Sequence, residues 1–350
     1  MIVVTGASGH LGNTVVRMLL ERGLPVRAVL RRLDPPSLEG LRVERVRGDL
    51  LDRASLERAF TGADWVIHTA ALISTQNADR TNLERINIEG THNVIEAVLA
   101  SGAKRAVFVS SVEALDLHKR IVSDAEVDGF HPETTVMAYG RTKALATLEV
   151  LKAVRERGLP AVVVAPSGFI GPYDFGTSLT GRLVRSFIHR RLPGYLDGAF
   201  DFVDVRDVAI GVIRAAERGR IGLWYLLSGT QITVPELMGL LAEVSGVGKP
   251  FLKIPPWLAI AYAALAARTM RLLGRVPLYT PNSIRILQTG ALFQPERAAL
   301  ELGHRPRPLR ETVGDTVAWW REREDMNGGD RGAFVSRSPG PGRAEGARTG

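Results

Sequence analysis

Cysteine is absent from all 350 residues, which excludes disulfide bonds, thiolate metal sites and thiol nucleophiles. That composition fits a reducing compartment, and a cytoplasmic location is the expectation. No run of eighteen apolar residues occurs, so no membrane span is expected. Nor does the N-terminus carry the basic segment, apolar run and cleavage site of a signal peptide; Met1 leads directly into Ile2-Val3-Val4-Thr5-Gly6. There is no Gly-x-Ser-x-Gly, which argues against a serine hydrolase. The seven histidines show no paired spacing, so no metal site is expected.

The chain does have an ordinary globular mixture, 45% apolar and 23% charged, and a length that can bury one large core and a smaller second one. Its net charge is +8, carried mainly by arginines dispersed along the chain. The densest cluster before the tail, His189-Arg190-Arg191, is short. A dispersed charge makes no stripe for a phosphate backbone, so a nucleic-acid partner is not expected. The apolar stretch Trp257–Ala267 is too short to span a bilayer. It reads as a buried helix, with weak peripheral membrane association through 257–275, where Arg268, Arg271 and Arg275 follow, as the alternative.

The first half alternates short apolar runs with helically spaced stretches. Strands are expected at Ile2–Thr5, Val26–Leu30, Val43–Val46, Trp65–His68, Ala106–Ser110 and Ala161–Ala165. Between them, helices are expected at Leu11–Arg22, at Ala54–Phe60 behind an Asp52 cap, at Ile86–Ala100 closed by Gly102, and at Ala138–Glu156. This rhythm predicts an α/β fold: a doubly wound parallel sheet of the Rossmann type with a small C-terminal substrate-binding domain. We divide the chain into residues 1–171, holding the nucleotide and the catalytic residues, and 172–325, mainly binding substrate but with segments returning to the first core. A tail, 326–350, rich in Gly, Pro, Ser and Arg, is expected to be disordered. In the second part, Asp207 is the expected cap of a helix, Tyr225–Leu227 a strand, and Pro235–Ser245, Trp257–Leu273, Pro295–Leu302 and Thr312–Arg323 the remaining segments.

Thr5-Gly6-Ala7-Ser8-Gly9-His10-Leu11-Gly12 lies between the first strand and the first helix. In such a loop Gly6 allows the tight turn, Gly9 admits a pyrophosphate to the backbone, and Gly12 lets the helix pack close to the sheet. The residues around the helix start, Ser8 to Leu11, then offer backbone amides and a positive dipole end to phosphates. After the second strand the sequence reads Leu30-Arg31-Arg32. Two guanidinium groups suit a 2′-phosphate and favour NADP(H), while nearby Asp34 keeps NAD(H) possible.

Tyr139-Gly140-Arg141-Thr142-Lys143 is the only Tyr-x-x-x-Lys in a chain with six tyrosines and six lysines. On a helix the two side chains share a face, and the ammonium is expected to lower the pKa of the phenol toward neutrality. Ser110-Ser111 ends a strand 28 residues upstream, at the carboxyl edge where such sheets bind ligands. Ser111, further out of the strand, is the candidate to hydrogen-bond a substrate carbonyl against Tyr139. Ser111, Tyr139 and Lys143 are the candidate catalytic residues.

These motifs, with Gly48-Asp49-Leu50, Thr69-Ala70-Ala71, Asn87 to Thr91, Pro166 to Pro172 and Val203 to Val208 in the same order, resemble the extended short-chain dehydrogenase/reductases over roughly residues 1–320. The likeness is strongest to bacterial dihydroflavonol-4-reductase-like and 3β-hydroxysteroid-dehydrogenase-like proteins, some of them termed hopanoid-associated sugar epimerases. The resemblance implies that Asp49 and Leu50 flank the adenine and that Thr69, Ala70 and Ala71 lie along the cofactor. It implies that Lys143 also holds the nicotinamide ribose, and that the segment with Pro166 and Phe169 runs beside the nicotinamide. It implies a homodimer through Ile86–Ala100 and Ala138–Glu156.

Where nucleotide-sugar enzymes often carry Arg-Pro and an asparagine, this chain reads Ala165-Pro166-Ser167-Gly168-Phe169, which favours a less charged ketone or alcohol. Phe169, Tyr173 and Phe175 are equally readable as pocket lining or as core. The expected activity is NADP(H)-dependent interconversion of a ketone and a secondary alcohol on a small or steroid- or flavonoid-like substrate. The alternatives are a nucleotide-sugar epimerase or dehydratase with tightly bound NAD(P), and a non-catalytic NADP-binding regulator, which commonly lacks the tyrosine retained here.

Overall fold

The computed structural model describes residues 1–73, 80–126, 129–135, 137–176, 178–192, 194–255, 257–258, 260, 287 and 289–326. Strand β1 (Ile2–Thr5) is buried throughout and runs parallel to β2 (Val26–Leu30) on one side and β4 (Trp65–His68) on the other. Beyond β2 lies β3 (Glu44–Arg47); beyond β4 lie β5 (Arg105–Val109), β7 (Ala161–Pro166) and β10 (Trp224–Leu227). All six pairings are parallel. The order β3-β2-β1-β4-β5-β7-β10 reverses beside β1, the switch point at whose carboxyl edge ligands bind.

Helices cover both faces because each carries one apolar stripe. On one face α1 (His10–Glu21) and α7 (Val205–Arg218) bring Val15, Leu19, Val208 and Val212 into one cluster with Val4 and Val164. On the other, α2 (Arg53–Phe60), α4 (Gly90–Ser101) and α5 (Ala138–Arg157) bring Phe60, Val94, Val98 and Val150 against Val3, Phe108 and Trp224. Asp52 caps α2 by accepting from the Ser55 amide at 3.1 Å. Gly102 and Gly158 close α4 and α5 with left-handed φ of +66° and +68°.

The helix expected at Ile86–Ala100 begins earlier, as α3 (Arg80–Glu84), and passes through one wide π turn at Arg85–Glu89 into α4. Asp207 is not the cap of α7. Asp204 is: it accepts from the Arg206 amide at 2.8 Å, while Asp207 lies in the first turn and holds Arg307 at 2.8 Å. The reason is geometric, since Asp204 has the extended backbone of a cap (φ −70°, ψ 133°).

Between β5 and α5 runs β6 (Ile121–Ser123), paired in parallel with β12 (Leu292–Gln294). A small sheet of β8 (Gly168–Ile170), β9 (Ala199–Asp204) and β11 (Thr230–Thr233) was not expected. With α6 (Leu179–Ile188), α8 (Val234–Ser245) and α9 (Leu309–Met326) it encloses a third apolar cluster containing Phe187, Leu241, Val313 and Trp320. Most of Trp257–Leu273, and residues 327–350, lie outside the described residues. Among the described residues no helix is long and apolar enough to cross a membrane.

Candidate active site

The loop after β1 is built on close backbone approaches. Gly6 has φ +69°, and the Gly9 amide donates to its carbonyl at 2.9 Å, closing the turn. A Cβ on Gly6 would stand 2.6 Å from the Ala70 nitrogen; one on Gly12 would stand 2.1 Å from the Gly6 carbonyl oxygen. The first turn of α1 therefore presses directly on the loop. Gly9 occupies its cap position with no side-chain hydrogen bond, and no acidic residue lies in that turn. Uncapped amides, a positive dipole end and a side-chain-free cradle fit the diphosphate of a dinucleotide.

Ser8 is exposed, whereas the Leu11 side chain is buried in the core, so only the backbone of Leu11 can serve a ligand. His10 is turned toward the second half of the chain. Its Nε2 lies 2.9 Å from the Pro172 carbonyl, and its ring packs on Phe169 at 5.6 Å between centroids. Burial lowers its pKa against the opposing pull of Asp174, and its buried Nδ1 has no partner. Asn13 donates to the Tyr173 carbonyl at 3.1 Å, and the Arg17 guanidinium lies 4.8 Å from the Tyr173 ring. The segment Phe169–Tyr173 is thus fastened to the start of α1. Phe175 instead meets Trp319 edge-on at 5.5 Å.

Arg31 and Arg32 are both exposed at the carboxyl end of β2, and Asp34 is exposed beside them, 3.7 Å from Arg45. Asp49 caps its own turn by accepting from the Leu51 amide at 2.9 Å. Leu50 packs where a Cβ on Gly90 would touch it at 3.0 Å. Thr69 donates to the Thr5 carbonyl at 2.8 Å, placing Thr69, Ala70 and Ala71 half-buried beside the glycine loop. Buried Asn87 exchanges hydrogen bonds with Leu72 at 2.8 and 3.0 Å and donates to Thr142 on α5 at 3.1 Å. This clamp, not anticipated from the sequence, ties the strand-end segment to the helix that carries Tyr139.

The two serines at the end of β5 have different fates. Ser110 turns inward to Thr147 at 2.7 Å. Ser111 accepts from the Glu113 amide at 3.2 Å, and its hydroxyl is near enough to Tyr139 to favour the ionised phenol. Lys143 is buried and donates to the Val109 carbonyl at 2.7 Å, and burial pushes its pKa down to about 8. The expected lowering of the phenol does not occur in this packing. Burial first, and the charge of Glu113 second, push the Tyr139 pKa up, and the nearby Ser111 hydroxyl only partly offsets them. Ser111 and Tyr139 thus lie near each other, the Lys143 ammonium is turned to the Val109 carbonyl, and Tyr139 is held as a neutral phenol. Glu113 is the neighbour that sequence reasoning missed; nothing but its place two residues after Ser111 marks it.

Pro166 ends β7, and the hydroxyl of buried Ser167 bonds to Asp201 on β9. Beyond it, in the third cluster, a cavity of about 60 Å³ is lined by Leu183, Leu196, Phe200, Phe202, Ile232 and Leu237, among other apolar side chains. Phe200 packs so closely on β8 that a Cβ on Gly168 would stand 2.5 Å from its ring.

Known proteins resemble the chain along nearly its whole length. It is 39% identical over 327 residues to sterol demethylase protein B of Methylococcus capsulatus, covering 92% of this chain and 98% of that protein. It is 30% identical over 325 residues to a 4-hydroxy-2-methyl-3-oxo-4-farnesyl-3,4-dihydroquinoline-1-oxide ketoreductase of Stigmatella aurantiaca, covering 90% and 94%. The crystal structure of gox2253 superposes with a TM-score of 0.79 at 31% identity, covering 92% and 98%. The model of the NAD dependent epimerase/dehydratase family matches residues 2–225, the span that contains the glycine cradle, Ser111, Tyr139 and Lys143. On that match and those identities, the chain belongs to the NAD-dependent epimerase/dehydratase family, the extended short-chain dehydrogenase/reductases, and is an enzyme.

Proposed function

We propose that the protein is an NADP(H)-dependent oxidoreductase that interconverts a ketone and a secondary alcohol on a largely apolar substrate. The observation that carries this reading is Ser111 at the end of β5, near a buried, neutral Tyr139 on the helix that also carries buried Lys143. The glycine loop, with Thr69 to Ala71, would hold the dinucleotide, Arg31 and Arg32 its 2′-phosphate, and Asp49 and Leu50 its adenine end. Pro166 and Phe169 would border the nicotinamide. A nicotinamide dinucleotide bound there supplies the hydride.

In the reductive direction Ser111 holds the substrate oxygen by a hydrogen bond, and Tyr139 delivers the proton that the oxygen needs as it becomes an alcohol. A phenol kept protonated at neutral pH suits that donor role. Lys143, one helical turn along the same face and turned to the Val109 carbonyl, would hold the nicotinamide ribose. Relatives named for a sterol and for a farnesyl dihydroquinoline support an apolar substrate. A nucleotide-sugar epimerase or dehydratase is the second reading, favoured by the family's own name.

The test is a fluorescence titration with NADPH and NADH in wild type and Arg31→Ala, followed by a ketone screen with Tyr139→Phe as control. Preferential NADPH binding that weakens by roughly tenfold in Arg31→Ala supports the cofactor choice. Equal or tighter NADH binding refutes it. Ketone-dependent NADPH oxidation that falls by about 10²–10⁴ in Tyr139→Phe supports the reaction. Epimerised or dehydrated product with no net change in NADPH absorbance establishes the second reading.

A further inference from the structure

We propose that Glu113 is a positioning residue for this reaction: an acid set against Tyr139 whose ionised form tightens the phenol's hold on its proton and so slows turnover. The proposal rests on the reading of Tyr139 as the proton donor and acceptor.

The placement is geometric. Glu113 sits in the short turn Val112–Ala114 that Ser111 caps. That turn is jammed against the first turn of α5: a Cβ on Gly140 would stand 2.1 Å from the Glu113 carbonyl oxygen and 3.4 Å from its Cβ. Neither element can slide, so the contact fixes the Glu113 backbone and Cβ against Gly140, one residue from Tyr139 on the same helical turn. Glu113 as a residue is half-buried, but its Oε2 is shut off from solvent and has no hydrogen-bond partner. A buried carboxylate oxygen without a partner is costly while charged and far less so when protonated.

The groups around it leave Tyr139 as the one it acts on. On α5 the ionisable side chains of this face are Tyr139 and Lys143, and the Lys143 ammonium is engaged with Val109. On the other side the loop pairs through Leu115 with Phe130. There Asp116 accepts from the His118 amide at 3.1 Å, and His131 lies 3.4 Å from Glu133. Burial raises the Glu113 pKa to about 7, and its charge raises that of Tyr139.

The consequence has the same sign in both directions. In reduction the substrate oxygen takes the Tyr139 proton and a phenolate remains; a neighbouring carboxylate disfavours that phenolate. In oxidation the phenolate must form first, and the same carboxylate opposes it. Protonated Glu113 lifts the penalty in each case.

Two measurements test this. The side-chain carboxyl of Glu113, followed by ¹³C NMR and assigned by its loss in Glu113→Gln, is expected to titrate near 7 rather than near 4.5, the ordinary glutamate value. In the ketone reduction, wild-type kcat is expected to step down by roughly tenfold between about pH 6 and about pH 9, the size of a one-unit coupling between neighbouring charges. Because Lys143 titrates in the same range, the step should shrink in Glu113→Gln and regain its wild-type size in Glu113→Asp. A carboxyl that titrates near 4.5, or a step that persists unchanged in Glu113→Gln, overturns the proposal. Failure of the oxidoreductase reading looks different: no ketone is turned over at any pH, whatever the carboxyl titration shows.

Discussion

Replacing Gly12 with alanine sets two effects of opposite sign against each other. Gly12 lies inside α1, and a helix interior favours alanine over glycine by roughly 1 kcal/mol. Against this, the new Cβ would stand 2.1 Å from the Gly6 carbonyl oxygen, 2.7 Å from the carbon behind it and 2.7 Å from Thr69 Oγ1. Relief requires the helix to back away by about 1 Å to regain ordinary contact distance. Val15, Val16 and Leu19, each fully buried in the core shared with α7, resist that retreat. An extra methyl forced into packing that cannot yield costs about 1–3 kcal/mol, so the net loss should be about 0–2 kcal/mol. The same displacement moves the amides at the start of α1 off their phosphates, and dinucleotide binding should weaken by at least about tenfold. Gly239 in α8 is the control, because a Cβ there meets nothing within 4 Å; Gly239→Ala should stabilise by about 0.5–1 kcal/mol. Urea unfolding of both variants, with NADPH titration of Gly12→Ala, checks the pair. A Gly12→Ala protein as stable as Gly239→Ala, with unaltered binding, would refute the cradle argument.

Two further outcomes follow from buried charge. Asp204 is fully buried, caps α7, forks onto Arg206 at 2.7 and 2.9 Å and lies 3.6 Å from Arg307; Asp204→Ala should cost about 3–5 kcal/mol in urea unfolding, and a loss under about 1 kcal/mol would show the network to be dispensable. Burial, and secondarily Lys143, lowers the pKa of His68 from 6.5 to about 3. The folded state therefore binds that proton less readily than the unfolded chain. Stability should fall below about pH 6.5, by up to about 1.4 kcal/mol per pH unit, until the folded value is reached. His68→Gln should flatten that part of a pH-dependent unfolding series, and an unchanged slope would assign the acid loss to other groups.

The first half of the fold was legible because its signals are local. Strands with burial on both faces read as continuous apolar runs, and Ile2–Thr5, Val26–Leu30 and Trp65–His68 stand where those runs do. Edge strand β3 was offset by one residue, since Glu44 and Arg47 face solvent and carry no apolar signal. The polar stretch Arg80–Glu84 gave no helical pattern; Leu83 alone anchors it in the interior. The second half was less legible because its order is non-local. Strand β8 is three residues long and pairs with a strand more than thirty residues away, and its core draws on α6, α8 and α9, far apart in the chain. Local pattern puts the cap at Asp207, but Arg307, a hundred residues on, holds Asp207 in the first turn and Asp204 caps the helix instead.

The candidate site divides along the same line. Spacing alone puts Tyr139 and Lys143 on one face, and the strand end puts a serine pair nearby, because those are properties of a single helix and a single strand. Ser111 reads as the candidate because it lies further out of the strand, and in the fold Thr147 takes Ser110 inward. The sign of the Tyr139 shift is another matter. A lysine four residues along a helix lowers a phenol's pKa only when its ammonium is free to act there and no stronger term opposes it. Here the ammonium is turned to the Val109 carbonyl, the phenol is buried, and Glu113 arrives through a backbone contact between a turn and a helix that no local pattern encodes. The identities of the reacting groups are thus written locally, while their proton affinities are set by what the fold brings in from outside. For that reason the alkaline behaviour of Glu113→Gln discriminates more sharply between accounts of this site than loss of activity in Tyr139→Phe, which every account of it predicts.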